Sequence, residues 1–283
     1  MTLSIAKGIE MDTNRTNLKV TTSAFFATHP VFALGEATSV MNPPGGRKGM
    51  VGRLKHHLQA GRLMTVMRGV YAVVPAGASD SEFRPDPFLT AAAVREDAVF
   101  SHHSALELLG AAHSVWNQMT LYTEKRRRPL RLAGQAICFY EHPHAMMPSK
   151  DGFGTRKIER LGKVLRVTGP ERTLVEGFRR PALAGGLDEL VQSAAGYAVL
   201  DLQLLEEVLR RYDIANLWAA AGWFLERFQK EFYAPDGLLA RMELRRPRSP
   251  QYLERNLRGG WLASRWNLIL PNSLKTRGGI SGP

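Results

Sequence analysis

The sequence predicts an α+β protein with an N-terminal winged helix-turn-helix domain, followed by a larger α+β domain with antiparallel strands and a helical C-terminal half. The length of 283 residues corresponds to about two domains. Hydrophobic residues make up 44% and charged residues 23% of the chain, values that are ordinary for a globular protein. Three short helical patterns and an alternating hairpin come first, and strand patterns followed by longer helical faces come after them.

Changes in composition divide the chain into two domains and two tails. Residues 1–18 are polar and aperiodic, which predicts a flexible tail. The winged helix-turn-helix domain is predicted over 19–77, and a linker rich in Ser, Asp and Pro follows it. The second domain is predicted over 78–271 and a second flexible tail over 272–283.

The N-terminal domain is predicted from the order of its helices, turn and hairpin. The predicted elements are a helix over 20–29, a helix over 33–41, a turn over 42–46, a helix over 47–60 and a hairpin over 63–74. The first helix ends at His29 because the residue before a proline avoids the helical region. Gly61 is the predicted C-cap of the third helix, and Arg68-Gly69 is the predicted turn of the hairpin.

The third helix has an apolar face and a basic face. At 100° per residue, Val51, Leu54 and Leu58 share the predicted core side, with Met50 and His57 at its edge. The residues predicted to face outward are Gly49, Gly52, Arg53, His56 and Gln59, with Lys48 and Lys55 beside them. In a helix-turn-helix protein this helix enters the major groove.

The basic face carries side chains that suit DNA recognition. Arg53 is the predicted base reader because its guanidinium can offer two donors to guanine, and His56 or Gln59 can read other base edges. Lys48 and Lys55 suit phosphates, where a point charge is sufficient. The predicted DNA-binding residues are Arg47, Lys48, Arg53, Lys55, His56, Gln59, Arg62 and Arg68. The alternative is a basic face that is only solvated.

Positive charge is concentrated in the same segment. The net charge is +12 and the pI is near 10.1. Residues 13–75 contain eight Lys and Arg against one acid, Glu36, so they carry +7 and leave +5 for the other 220 residues. Such an excess favours polyanionic partners such as double-stranded DNA.

The second domain is predicted to begin with strands and to end with helices. Its predicted elements are a helix over 88–94, a strand over 98–100, a helix over 101–109, antiparallel strands over 119–123, 130–132 and 136–140, a hairpin over 157–161 and 163–167, a helix over 170–178, and a terminal strand over 265–270. Three apolar faces at helical spacing follow position 187, and Asp201 is a predicted N-cap. A possible secondary basic contact, at a predicted hairpin tip, consists of Lys125, Arg126, Arg127 and Arg128.

No cofactor or metal site is predicted. Cys138 is the single cysteine, so neither a disulfide within the chain nor a four-cysteine zinc site can form. His102 and His103 are adjacent, so on a helix they point apart and do not ligate one ion easily. The sequence shows neither a secretory signal nor a membrane span, which predicts a cytoplasmic protein with no membrane partner.

Two alternative functions remain open at this point. One is a plain winged-helix regulator whose second domain binds a ligand or oligomerises. The other is a metal-dependent nuclease built on the carboxylates Glu124, Glu141, Asp151 and Glu159. None of these has a lysine two positions on, as a restriction-type nuclease motif requires, so a protein that is not an enzyme is the main prediction.

Several short motifs, taken in order, resemble those of AbiEi-type antitoxins. They are His29–Ala33, Leu54–Leu63 and Arg68–Pro75 in the first domain, and Asp86-Pro87, Ser101–Gly110, Arg126–Arg128, Val167–Val175 and Arg265–Pro271 in the second. The resemblance covers residues 20–271. One departure from the family is the glycine-rich start of the third helix, Gly46–Gly52, which bears on where the base-reading residues lie.

The resemblance implies a protein with two functions. AbiEi-type antitoxins belong to type IV toxin–antitoxin and abortive-infection systems of bacteria. The N-terminal winged helix would repress its own operon by binding inverted repeats in the promoter. The C-terminal domain would counteract a nucleotidyltransferase-like AbiEii toxin, in this class without a stable complex between the two proteins.

Overall fold

A computed structural model describes residues 20–78, 82–132, 134–147, 152–254 and 258–275. In these residues the protein has a mixed α+β fold with ten α-helices and three sheets, so the predicted class is confirmed. The chain divides into two compact units, residues 1–83 and 84–283. The predicted N-terminal tail, 1–18, lies outside the described residues.

The first unit consists of three helices and a three-stranded antiparallel sheet. Its elements are α1 (Thr22–Thr28), β1 (Val31–Ala33), α2 (Leu34–Met41), α3 (Gly46–Gln59), β2 (Leu63–Met67) and β3 (Val70–Val73). The sheet has the order β1-β3-β2. The sequence does not reveal β1, because a strand of three residues carries no periodicity and its partner β3 comes some 40 residues later, with Val31 opposite Ala72.

Aromatic and aliphatic side chains from all three helices form the core of this unit. Phe25, Phe32, Met50 and Leu54 are fully buried. The rings of Phe25 and Phe32 meet edge to face with their centroids 5.0 Å apart, a favourable aromatic geometry. Burying such side chains stabilises the fold by about 1.5–3 kcal/mol each, which is why α3 keeps one side turned inward.

The buried side of α3 differs from the predicted one. Met50 and Leu54 are fully buried, whereas Val51 is 46% exposed. The ring of His57 packs edge-on against Phe26, with the centroids 5.0 Å apart. The inward line is therefore 50, 54 and 57, which is also a helical spacing. The sequence pattern alone did not show which side of α3 is buried. The apolar residues at 50, 51, 54 and 58 fit both the predicted and the observed orientation of the helix.

Gly49 faces the preceding turn and not the outside. A Cβ atom built on Gly49 would lie 2.0 Å from the carbonyl oxygen of Pro44. Any other residue would clash with the backbone there, so the glycine allows α3 to pack closely against the turn. The prediction that Gly49 lies on the outward face is wrong, and close packing within the unit explains this glycine.

The second unit begins with a six-stranded mixed sheet. Its elements are α4 (Pro87–Val94), β4 (Val99–Phe100), α5 (His102–Leu108), β5 (Gln118–Thr123), β6 (Leu130–Leu132), β7 (Gln135–Glu141), β8 (Thr155–Arg160) and β9 (Lys163–Thr168). The strand order is β6-β7-β5-β4-β9-β8. The predicted hairpin of β8 and β9 is antiparallel as expected.

The prediction of antiparallel pairing is wrong for β5 and its neighbour β7. β5 pairs with β7 in parallel over six residues, and β4 pairs with β9 in parallel. The reason is that β6 folds back on the outer side of β7, so the chain enters β7 in the direction of β5. Strand patterns show where strands lie but not which of them become neighbours.

The helical half follows the sheet. Its elements are α6 (Pro170–Arg179), α7 (Leu187–Ala195), α8 (Leu202–Tyr212), α9 (Ala215–Arg227), α10 (Asp236–Glu243), β10 (Gln251–Tyr252), β11 (Trp261–Ala263) and β12 (Leu268–Leu270). The last three strands form a small sheet in the order β10-β12-β11. The N-cap prediction is confirmed, because the side chain of Asp201 accepts hydrogen bonds from the backbone N–H groups of Gln203 and Leu204, both at 3.0 Å.

The C-terminal predictions need two corrections. The predicted strand over 265–270 is half as long, since Ser264–Trp266 form a 3₁₀ turn before β12. The predicted flexible tail over 272–283 is wrong at its start. Asn272–Leu274 form another 3₁₀ turn, and Leu274 is buried while its carbonyl accepts a hydrogen bond of 2.7 Å from Arg227 Nη1. Residues 276–283 lie outside the described residues.

Candidate nucleic-acid interface

The eight residues predicted to bind DNA are all exposed in the first unit. Six of them lie on α3, Arg62 follows the end of α3, and Arg68 lies in the turn between β2 and β3. We call the surface formed by these eight residues the basic face. None of its members forms an ion pair with a described residue. Among the described residues its charges have no acidic partner, so they are available to DNA phosphates, which bind such charges with release of counterions.

The start of α3 adds to the positive potential of the basic face. Gly45 provides no side-chain cap, and the first turn of α3 contains Arg47 and Lys48 but no acid. The amino end of a helix carries partial positive charge and unpaired N–H groups. Two cations at that end cost the helix some stability, but they create a site that attracts phosphate oxygens.

The observed rotation of α3 changes which side chains point directly away from the core. With Met50 and Leu54 inward, helical geometry places Gly52 and Gln59 at the centre of the outward side, with Lys48 and His56 beside them and Lys55 about 60° from the centre. Arg53 lies on the flank of the helix, although it is exposed. Lys55 therefore lies nearer the centre of the outward side than Arg53 does.

The hairpin presents Arg68 at its tip. Met67 pairs with Val70, so the turn consists of Arg68 and Gly69 alone. Gly69 has a φ of 81°, a conformation that glycine adopts without steric cost. The carbonyl of Gly69 accepts a hydrogen bond of 2.8 Å from the backbone N–H of Leu34, which fixes the tip to the start of α2. The side chain of Arg68 is exposed.

His57 is a packing residue and lies outside the basic face. Burial lowers its pKa, and the neighbouring positive charges of His56 and Arg62 lower it further. The neutral imidazole suits its contact with the ring of Phe26. His56, one position earlier, is exposed.

The predicted secondary contact, Lys125–Arg128, lies in the loop between β5 and β6 and is exposed. It is not a hairpin tip, since β5 and β6 are separated by β7 in the sheet. The backbone N–H of Arg126 donates to Glu141 Oε1 at 3.2 Å. The Arg126 side chain lines a cavity of about 480 Å³ together with Arg179 and Arg180.

The two arginines at the end of α6 were not predicted as site residues. Arg179 and Arg180 join Arg126 in the cavity, which Tyr140, His142 and His144 also line. The guanidinium of Arg180 lies 5.8 Å from the centroid of the Tyr140 ring. The adjacent arginines at the end of a helix that is otherwise buried were the sequence signal that could have revealed them. The sequence could not show that they meet residues 126 and 140 in one cavity, because this depends on the strand order of the sheet.

The carboxylates and histidines considered for metal chemistry are distributed over separate places. Within the part of the chain that the structure describes, no group of three or more His, Cys, Asp or Glu side chains could hold a metal ion. Of the nuclease candidates, Glu124 follows β5, Glu141 ends β7 and Glu159 lies in β8, while Asp151 lies outside the described residues. His102 and His103 are fully buried at the start of α5.

The fold has a relative among solved structures. This chain is similar to the RV2827C protein from Mycobacterium tuberculosis, whose crystal structure matches with a TM-score of 0.57. The match covers 87% of this chain and 88% of that chain at 17% sequence identity. At this identity the likeness shows the fold alone. No family model matches the sequence, and a search of curated proteins finds no match either. In the described residues no helix is long and apolar enough to cross a membrane.

Proposed function

We propose that the protein is a DNA-binding antitoxin that represses its own operon and reads DNA with the basic face of its first unit. The observation that carries this proposal is that all eight members of the basic face are exposed and none forms an ion pair with an acid in the part of the chain that the structure describes. The order of three helices and a hairpin fits a winged helix-turn-helix, with α2 and α3 as the helix pair and the β2–β3 hairpin as the wing.

The rotation of α3 supports different roles for the members of the basic face. Gln59 lies at the centre of the outward side, and Lys55 lies nearer to it than Arg53 does. In this proposal both read base edges in the major groove, the lysine at guanine and the glutamine at adenine. Arg53 lies on the flank and contacts the phosphate backbone, as do Arg47 and Lys48 at the start of the helix. Arg68 at the hairpin tip reaches the backbone or the minor groove, as a wing does.

The antitoxin part of the proposal rests on the resemblance to AbiEi-type antitoxins. The motifs that support it in the second unit lie on its central elements: Ser101–Gly110 covers α5, and Val167–Val175 joins the end of β9 to α6. The functional partner is then a nucleotidyltransferase-like AbiEii toxin encoded next to this gene. The antitoxin acts in the cytoplasm, is not an enzyme and needs no cofactor.

A DNA-binding measurement on the full-length protein tests the proposal. Its own promoter, which we expect to contain inverted repeats, is titrated against a scrambled duplex of equal length at several salt concentrations. We expect the promoter to bind tighter by a factor of about 10³ or more at physiological salt. Equal affinity for the two duplexes would refute sequence-specific repression.

Rescue of cell growth tests the antitoxin part separately. The neighbouring gene is expressed alone, with the full chain, and with residues 1–83. We expect rescue with the full chain only, because the resemblance places antitoxicity in the second unit.

Promoter binding without rescue would favour a second candidate, a regulator whose second unit binds a small ligand. The cavities of about 480 and 560 Å³ in that unit support this candidate, since ligand pockets have this size.

A further inference from the structure

A second cavity in the C-terminal unit has a volume of about 560 Å³ and a basic lining. Its basic residues are Arg156, Lys157, Arg166 and Arg172, and its acidic residues are Asp97 and Glu124. Asp97 is already neutralised, because its carboxylate pairs with Arg95 and accepts a hydrogen bond of 2.8 Å from the backbone N–H of Glu124. Arg156 and Arg172 are paired as well, with Glu171 and Glu176. Lys157 and Arg166 against Glu124 therefore leave a small excess of positive charge in the lining.

Arg172 is the residue that indicates a ligand. Its side chain is only 1% exposed. Nε donates to Glu176 Oε1 at 2.7 Å and Nη1 donates to the carbonyl of Phe153 at 3.1 Å. The third nitrogen, Nη2, is buried and has no hydrogen-bond partner among the described residues. Glu171 Oε2 and Glu176 Oε2 are also buried without partners among the described residues, but Arg172 lines the cavity. A buried charged donor without a partner is costly, and an anion in the cavity would satisfy it.

His142 supplies a second buried group without a partner. It lines both this cavity and the one that contains Arg126, Arg179 and Arg180. Its Nδ1 is buried without a hydrogen-bond partner among the described residues. Burial lowers the pKa of His142 to about 4, and the charges of Arg172 and Arg166 contribute to the shift. The same positive field that disfavours an imidazolium attracts an anion.

We propose that this cavity binds the phosphate groups of a small polyphosphate ligand, either a nucleotide or free pyrophosphate. Arg172 fixes one phosphate oxygen through Nη2, and Lys157 and Arg166 contribute charge from the β8–β9 hairpin. A volume of about 560 Å³ is in the range of sites for small molecules. The site lies in the second unit and does not depend on DNA binding by the first.

The neighbouring cavity offers a place for a base if the ligand is a nucleotide. Tyr122 and Tyr140 are opposite one another on β5 and β7, and both line that cavity with His142. The ring centroids of Tyr122 and His142 lie 5.2 Å apart. Aromatic rings and arginine planes are the groups on which bases stack in proteins.

Calorimetric titration of the full chain tests the site with inorganic pyrophosphate and with a nucleoside triphosphate as separate probes. Lys157→Gln and Arg166→Gln should each raise the Kd about tenfold, the loss expected for one charged hydrogen bond. The matched control is Arg131→Gln, an exposed arginine on β6 at the opposite edge of the same sheet, which should leave the Kd unchanged. Tighter binding of the triphosphate, lost in Tyr140→Leu, identifies a nucleotide ligand, and equal affinities identify free polyphosphate.

A second measurement follows the imidazole of His142 by NMR. Bound pyrophosphate should raise its pKa from about 4, because a nearby negative charge favours the protonated ring. Three results would overturn the proposal. They are the absence of binding by either probe at millimolar concentration, equal weakening by Arg131→Gln and Lys157→Gln, and occupation of the cavity by DNA or RNA strands only.

Discussion

The cations of α3 and the buried Arg172 of α6 show two opposite uses of positive charge in one chain. On α3, Arg47, Lys48, Arg53 and Lys55 are exposed and unpaired among the described residues. On α6, Arg172 is 1% exposed and hydrogen-bonded to the buried carboxylate of Glu176. The exposed charges contribute little to folding and are available to a partner. The buried charge is part of the core, and removing it affects folding before it affects any ligand.

The difference follows from the acids that accompany the cations. α3 contains no Asp or Glu, so its cations have no partner on the same helix. In α6, Glu176 follows Arg172 by one turn and also accepts a hydrogen bond of 2.8 Å from the hydroxyl of Tyr212. Hydrogen bonds of this kind offset part of the cost of burying the two ions, although Arg172 Nη2 and Glu176 Oε2 have no partner among the described residues. A basic residue is therefore a candidate for binding only after its burial and its partners are known.

The largest predicted effect tests the buried side of this comparison. Arg172→Met leaves Glu176 buried without its cation, and we expect the free energy of unfolding to fall by about 3–5 kcal/mol. The measurement is chemical denaturation monitored by circular dichroism. The double variant Arg172→Met/Glu176→Leu should recover most of the loss, because it removes both charges.

The control for this prediction is an ion pair whose arginine is exposed, although the Glu206 side chain is only 12% exposed. Arg210 Nη2 lies 2.8 Å from Glu206 Oε1 with its side chain 53% exposed, and such pairs contribute at most about 1 kcal/mol. Arg210→Met should therefore leave the stability almost unchanged. If Arg172→Met lowered the free energy of unfolding as little as Arg210→Met, the buried pair would not contribute to the stability of the core.

The next effect concerns pH and the buried His102. Burial lowers its pKa from 6.5 to about 3, and the charges of Arg180, Arg172 and Arg179 add to the shift. The folded protein keeps His102 neutral, while the unfolded chain binds a proton below pH 6.5. Stability is thus complete above pH 6.5 and falls as the pH decreases towards 3, by about 2 kcal/mol at pH 5.

His102→Asn isolates this contribution. The backbone of His102 has a φ of 52°, a left-handed conformation that asparagine tolerates better than most residues. We expect the variant to lose less stability than the wild type between pH 7 and pH 5, measured as the shift in the urea midpoint. An identical pH dependence in the two proteins would show that burial of His102 does not cause the loss of stability at low pH.

A smaller effect sharpens the exposed side of the comparison. Gln59→Ala removes a side chain from the centre of the outward side of α3, and we expect a loss of about 1–3 kcal/mol in promoter binding with relaxed preference at one base pair per half-site. Stability should not change, since Gln59 is exposed. Leu54→Ala is the structural contrast, because it should lose binding through unfolding, at a cost of about 2–5 kcal/mol.

The smallest effect separates backbone contacts from base contacts. Arg53→Ala should weaken promoter and scrambled DNA alike, and should reduce the slope of log K against log salt by about 0.9, the value of one phosphate contact. Lys55→Ala should instead weaken the promoter more than the scrambled duplex. The reverse pattern for the two residues would mean that the helix meets DNA with the face first predicted from the sequence.

Much of the first unit was predictable because its signals are local. The turn at Asn42–Gly45, the helix at Gly46–Gln59 and the hairpin around Arg68-Gly69 all follow from the conformations that proline, glycine and alternating side chains allow. The exposure of the basic face also follows, since charged side chains are rarely buried without a partner. The N-cap at Asp201 belongs to the same class of signals.

Long-range packing decided what the sequence left open. The inward turn of Met50 in place of Val51, the contact of Gly49 with Pro44 and the parallel pairing of β5 with β7 each depend on segments that meet only in the folded chain. The polyphosphate cavity is the clearest case, because His142, Arg166 and Arg172 come from a loop, a strand and a helix. The sequence alone determined which side chains are charged and where most of the helices and strands lie. The tertiary structure decided which charges are buried together, because strand order and helix rotation are set by the whole core and not by any local pattern.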